Sequence, residues 1–208
     1  MGSGTREKLV DAAARAFAEQ GVGAASLVEI TRRAGQRNRG AVHYHFGGRD
    51  ALLVAVLEEH AAFLAEREGE LLEAARRRPA DDVASVVEAV VRPAVELAES
   101  GWRGRAYLAI VGQLIEQDQD ALSDEVAAAL RQTGGYDVFA LLAERIPPMD
   151  DALRGERFAQ VTAFILGAVA RRVRAGDRPS RPQLPADRFV ANLVQTAAAI
   201  VTAPTTGV

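Results

Sequence analysis

Apolar side chains recur along this chain at helical intervals. Leu9, Ala13 and Phe17 fall four residues apart, which lays one stripe along a helix over about residues 5–20, with Gly21 as its stop. Ser26 then stands three residues before Glu29, the spacing of a capping box, and opens a helix to about residue 34 that buries Leu27, Ile30 and Ala34. Gly35 ends it. Asn38, a good N-cap residue, opens a short helix to about Phe46. Two short helices joined by a turn containing Gly make a helix-turn-helix.

Gly47-Gly48 breaks the pattern, and a long helix follows over about residues 50–76, with Leu53, Val56, Leu57, His60, Leu64 and Leu71 near one face. Further helices are predicted over about residues 81–99, 102–117, 123–131, 136–145, 150–174 and 186–202. Pro93 predicts a kink in the first of these. Phe158, Val161, Ile165, Ala168 and Val169 form the apolar face of the second-last helix. Phe189, Leu193, Ala197 and Ile200 form that of the last, and a frayed tail is expected from Ala203. No sustained strand alternation interrupts this, so the fold class is all-α.

Composition narrows the picture. The chain has 208 residues, 49% hydrophobic and 25% charged, which is ample for a buried core. No apolar run reaches the ~18 residues of a membrane span, so no membrane partner is expected. The N-terminus lacks the apolar stretch of a secretory signal. There is no Cys, which excludes disulfides, thiolate metal sites and a Cys nucleophile and fits a cytoplasmic location.

Charge changes it further. The net charge is −3, which alone argues against nucleic acid. Between Val22 and Arg49, however, Arg32, Arg33, Arg37, Arg39 and Arg49 face only Glu29, a local +4 that leaves −7 for the rest. A helix-turn-helix puts the N-terminal end of its second helix into the DNA major groove. Here that end carries Arg37, Asn38 and Arg39. Arg matches guanine O6/N7, and Asn matches adenine N6/N7. Gly40 permits close backbone approach, and the helix start attracts phosphate. His43, Tyr44 and His45 can donate to phosphate, while Val42 and Phe46 turn to the core with Phe17 and Ile30.

The stretches TREKLVDAAARAFAEQG, SLVEITRRAG and GAVHYHFGGRDALLVAVL, in this order over residues 5–57, resemble the N-terminal DNA-binding domain of the TetR family of bacterial transcriptional regulators. Before Phe46 the chain has QRNRGAVHYH, one residue more than the commonest family pattern, so a longer or differently wound turn is expected. The resemblance implies that Arg39, Gly40, Ala41 and His43 face bases and that Ser26, Tyr44, His45 and Arg49 hold phosphates. It implies a three-helix head (residues 1–49) and a larger helical ligand-binding and dimerisation body (residues 50–208). The last two helices would pair with their mates in a homodimer, where Ala168, Ala197, Ala198 and Ala199 allow close approach. A two-fold dimer predicts a palindromic operator with half-sites about one helical turn, ~34–36 Å, apart. A small-molecule effector would release it, which makes the chain a ligand-responsive repressor.

Other residues carry less. Trp102, Tyr107 and Gln113 share a helix with Glu116 and are candidate effector contacts, for which a hydrophobic or acyl-type ligand is expected. His43 and His45 stand about 200° apart on a helix and cannot share a metal. His60 reads as a partly buried structural histidine. Asp118, Asp120, Asp124 and Glu125 read as cap and surface charge. No phosphate loop, GxSxG elbow or HExxH is present, so neither enzyme activity nor a cofactor is expected. Two other classes remain open: a helical small-molecule enzyme or carrier with an incidental basic segment, and an adaptor whose Arg37 and Arg39 bind an acidic partner.

Overall fold

The structure is a computed structural model that describes residues 3–116, 122–177 and 182–205. Among them lie ten helices and no strand. They are α1 (Ser3–Gln20), α2 (Leu27–Arg33), α3 (Ala41–Phe46), α4 (Arg49–Arg76), α5 (Val83–Glu99), α6 (Trp102–Glu116), α7 (Asp124–Leu130), α8 (Gly135–Arg145), α9 (Asp151–Asp177) and α10 (Ala186–Thr202). Asp118, Asp120 and the last residues of the expected tail fall outside the described residues, as does the side chain of Glu116. None of the described helices is long and apolar enough to cross a membrane.

Packing divides the chain into two compact units, Met1–Ala62 with Ser100–Gln132 and Phe63–Glu99 with Thr133–Val208. The first unit takes in α1–α3, the first part of α4, α6 and α7, and within it α6 packs against α1.

In the first unit the α1 stripe forms as the spacing predicts: Leu9, Ala13 and Phe17 are fully buried. Ile30 of α2, Val42 of α3 and Leu52 and Leu57 of α4 join the buried set. At about 1.5–3 kcal/mol for each fully buried large side chain, this cluster is what makes so short a helix as α3 stable. Leu27 is only half-buried, and so is Phe46, whose ring lies beneath the Arg6 guanidinium at 5.0 Å.

In the second unit α5 is the central element. Ten of its 17 residues are buried, Pro93 among them, and it packs against α8, α9 and α10. α9 extends through Gly176 to Asp177, beyond the expected end at Arg174, because a helix tolerates one Gly at a cost of about 1 kcal/mol. Arg157 of α9 is buried and donates to the carbonyls of Val201 and Pro204, tying down the open end of α10. Glu68 of α4 is buried too. The amides of Gly134 and Gly135, at the start of α8, donate to its carboxylate, while Oε2 has no partner among the described residues. Burial pushes this carboxyl up to about 7, although the two amide bonds pull the other way.

Candidate nucleic-acid interface

The local sequence dictates where α3 begins. Gly35 ends α2 in the left-handed region at φ 71°, and Gln36 N–H returns to the Thr31 carbonyl at 3.1 Å. The Asn38 side chain then accepts the Gly40 N–H at 2.9 Å, and its carbonyl accepts the Ala41 N–H at 3.1 Å. Asn38 therefore builds a turn ahead of the helix and does not cap it. Gly40 takes the N-cap position, and α3 starts at Ala41, two residues later than an Asn38 cap would place it. Arg37, Asn38 and Arg39 consequently stand on an exposed turn before α3 instead of on its first turn.

Orientation corrects a second expectation. Ala41 is buried with Val42 and faces the core, so its methyl is not presented to a base. His43 and Tyr44 are the outward residues; Tyr44 is 83% exposed. His45 is half-buried, edge-on to the Tyr44 ring at 5.0 Å. Gly47 closes the helix with φ 82°, donating its N–H to the His43 carbonyl, while the His43 ring Nδ1 lies 3.1 Å from the Gly47 carbonyl.

The capping box forms only in half. Ser26 Oγ accepts the Glu29 N–H at 3.4 Å, but the Glu29 carboxylate turns to Arg32 at 2.7 Å and Arg33 at 3.0 Å. Arg32, then Arg33, holds the Glu29 carboxyl down to about 2 by hydrogen bonding. Arg33 also meets Glu19 at 3.0 Å. Arg49 donates one arm to the Val22 carbonyl. Of the five arginines behind the local +4, Arg37 and Arg39 are exposed with no carboxylate partner among the described residues. The basic surface is thus sharper than the charge sum implied. Sequence reasoning passed over Arg6, which the Phe46 ring holds close to α3.

The candidate effector residues lie on α6 in the same unit. Trp102 is half-buried beneath the Arg15 guanidinium at 3.6 Å, with Arg103 at 5.2 Å. Arg103 forms a bidentate pair with Asp11 at 2.7 Å. Tyr107 is buried and edge-on to His60 at 5.4 Å. Burial, followed by the nearby Arg103 charge, lowers the His60 pKa. Gln113 is engaged at both ends, accepting from Val22 N–H and donating to the Phe17 carbonyl. Asp124 and Glu125 stand exposed in the first turn of α7, as surface charge.

An all-helical fold with a short outward helix after a basic turn defines a helix-turn-helix DNA-binding protein. Residues 9–56 match the model of the bacterial regulatory proteins, tetR family, and residues 88–199 match that of the tetracyclin repressor-like C-terminal domain. The chain belongs to the TetR family of transcriptional regulators.

The HTH-type transcriptional regulator SrpR of Pseudomonas putida is 49% identical over 53 residues, 26% of this chain and 24% of SrpR. The matched stretch thus spans about a quarter of that relative's length. The HlyIIR mutant with residues 170-185 substituted by alanine aligns at TM-score 0.59 and 16% identity, over 98% of both chains. AibR in complex with isovaleryl coenzyme A and operator DNA aligns at TM-score 0.52 and 15% identity, over 97% of this chain and 100% of AibR. At these identities the two structures bear on the fold alone.

Proposed function

We propose that the chain is a ligand-responsive repressor that binds a palindromic operator as a homodimer and is released by a small-molecule effector. The observation that carries the reading is the pairing of an outward α3, presenting His43 and Tyr44, with two carboxylate-free arginines on the turn before it. Residues 1–49 act as the reading part and residues 50–208 as the regulatory and dimerisation part, in the cytoplasm and without enzyme activity.

Arg37, Arg39 and His43 face the groove, with Asn38 and Gly40 shaping the turn. Ser26, Tyr44, His45 and the remaining donors of Arg49 take phosphates. The buried Ala41 supports this surface by packing.

Dimer formation is supported by the exposed sides of α9 and α10. Residues 158–170 and 189–205 contain no charged side chain, yet Ala159, Ala163, Phe164, Ala191, Thr196 and Ala199 among them are exposed. Two neighbouring helices with outward faces of small uncharged residues suit a second copy of the same pair better than bulk water.

For the effector, a hydrophobic or acyl-type ligand remains the reading, consistent with the isovaleryl coenzyme A bound by AibR. Trp102, Tyr107 and Gln113 are its proposed contacts. They lie on the helix that packs against α1, so a ligand that favours another α6 position shifts the equilibrium of the reading part by its differential affinity.

Gel shift on the DNA upstream of its own gene tests this. Arg39→Ala with Tyr44→Ala abolishes the shift while the helical circular dichroism stays unchanged. A retained shift in the double variant contradicts the assignment.

A further inference from the structure

We propose that His43 is a specificity-determining residue that accepts a hydrogen bond, through Nε2, from the exocyclic amino group of an adenine or cytosine in the operator. The inference rests on the DNA-reading role of α3 and adds to it the class of base that one side chain reads.

The Gly47 carbonyl lies 3.1 Å from His43 Nδ1. A carbonyl oxygen only accepts, so Nδ1 carries the proton. In a neutral imidazole the other nitrogen is then a bare acceptor. The carbonyl is held in place by the turn itself. Gly47 sits at φ 82°, where a side chain would be strained, and its N–H returns to the His43 carbonyl at 2.9 Å. One ring contact and one backbone contact thus fix the ring against the end of α3. His43 is exposed, and Nε2 has no partner among the described residues.

An acceptor at this point excludes most of what DNA offers. Phosphate oxygens, guanine N7 and O6, adenine N7 and thymine O4 are all acceptors. In the major groove only the N6 amino group of adenine and the N4 amino group of cytosine donate. The nearby Arg37 and Arg39 are donors only and suit the acceptor atoms instead. The head therefore presents both hydrogen-bonding senses, and His43 supplies the rarer one.

The test uses the full-length protein at pH 8 in three steps. Nitrogen NMR of the His43 ring in the free protein shows a protonated Nδ1 and a bare Nε2; the opposite tautomer overturns the proposal. Selection from a DNA pool randomised across both half-sites, run with wild type and His43→Ala, then gives one adenine or cytosine position per half-site that only the wild type fixes. At that position the amino group is deleted, using purine for adenine or 2-pyrimidinone for cytosine. This weakens wild-type binding roughly ten- to hundred-fold and His43→Ala hardly at all. Equal losses in both proteins, or identical selected sequences, overturn the role of His43 while leaving DNA binding intact. No enrichment of any sequence by the wild type overturns the DNA reading and this inference together.

Discussion

Gln113 accepts the Val22 backbone N–H through Oε1 at 3.1 Å, joining α6 to the turn that follows α1. Its Nε2 donates to the Phe17 carbonyl at 3.2 Å, which also accepts the Gly21 N–H at 3.0 Å at the end of α1. The Val22 carbonyl in turn accepts from Arg49 at the start of α4. The entry to the helix-turn-helix is thus held at one residue from two helices. Val22 is buried, so Gln113→Leu strands its N–H away from water. Stability should fall by about 1–3 kcal/mol in denaturant unfolding, and operator affinity with it. Gln113→Glu, which keeps the acceptor, should lose less. Unchanged stability in Gln113→Leu would show that the strap contributes nothing.

The two classes of arginine should behave differently. Arg32 is already bound to Glu29, whereas Arg39 has no carboxylate partner among the described residues. Arg39→Ala should weaken operator binding and make the slope of log affinity against log salt less negative, by about one unit for each phosphate that is no longer neutralised. Arg32→Ala should leave that slope nearly unchanged. Equal effects from both would mean that the Glu29 pairing does not persist on DNA.

How far the sequence reveals these features depends on the range over which each is determined. The α1 stripe, the Gly21 and Gly35 stops and the α10 boundaries follow from spacing within a few residues, and the structure keeps them. The start of α3 is not legible in this way because Asn38 has two local uses, capping a helix or closing a turn onto Gly40, and only the observed bond to the Gly40 N–H decides between them. The pairing of Glu29 with two arginines is hidden because i,i+3 and i,i+4 ion pairs compete with the capping box for one carboxylate. Gln113 and Glu68 are illegible for a different reason: their partners lie at residues 17, 22, 134 and 135, and no local pattern encodes such distances.

Glu68 gives a pH prediction with a definite sign. Its folded pKa of about 7 lies above the ordinary 4.5, so the folded chain keeps a proton that the unfolded chain releases. Its contribution is therefore fully present below about pH 4.5 and is lost as pH rises through 7, by up to about 3 kcal/mol. Glu68→Gln removes this dependence. Against wild type, the variant should gain stability at pH 8 relative to pH 5 in thermal or urea unfolding. Parallel pH profiles for the two proteins would refute the buried-carboxyl account.

Gly134 tests the same contact by packing. A Cβ placed there would stand 2.9 Å from Glu68 Cβ, while the backbone φ of −75° suits any residue. Gly134→Ala should therefore destabilise by about 1–3 kcal/mol through crowding alone. A neutral or stabilising result would mean that α4 and the start of α8 are more loosely packed than described.

The proposed dimer face can be broken by charge. Ala163 is exposed on α9 in a stretch without charged residues, so Ala163→Arg leaves the subunit core untouched. Light scattering should show a dimer for wild type and a monomer for the variant, with operator affinity falling in parallel. A variant that remains dimeric would place the interface elsewhere.

The central claim is that α3 and the basic turn before it form a DNA-reading surface, and its most direct test is the salt dependence of operator binding. Fluorescence anisotropy should be followed on the DNA upstream of the gene and on a scrambled duplex across a series of salt concentrations. Four cations per subunit brought against the duplex, Arg6, Arg37, Arg39 and Arg49, predict a log–log slope of roughly −7 for a dimer, with the upstream DNA bound more tightly at every salt. No binding at low salt, or equal affinity for both duplexes, would contradict the account.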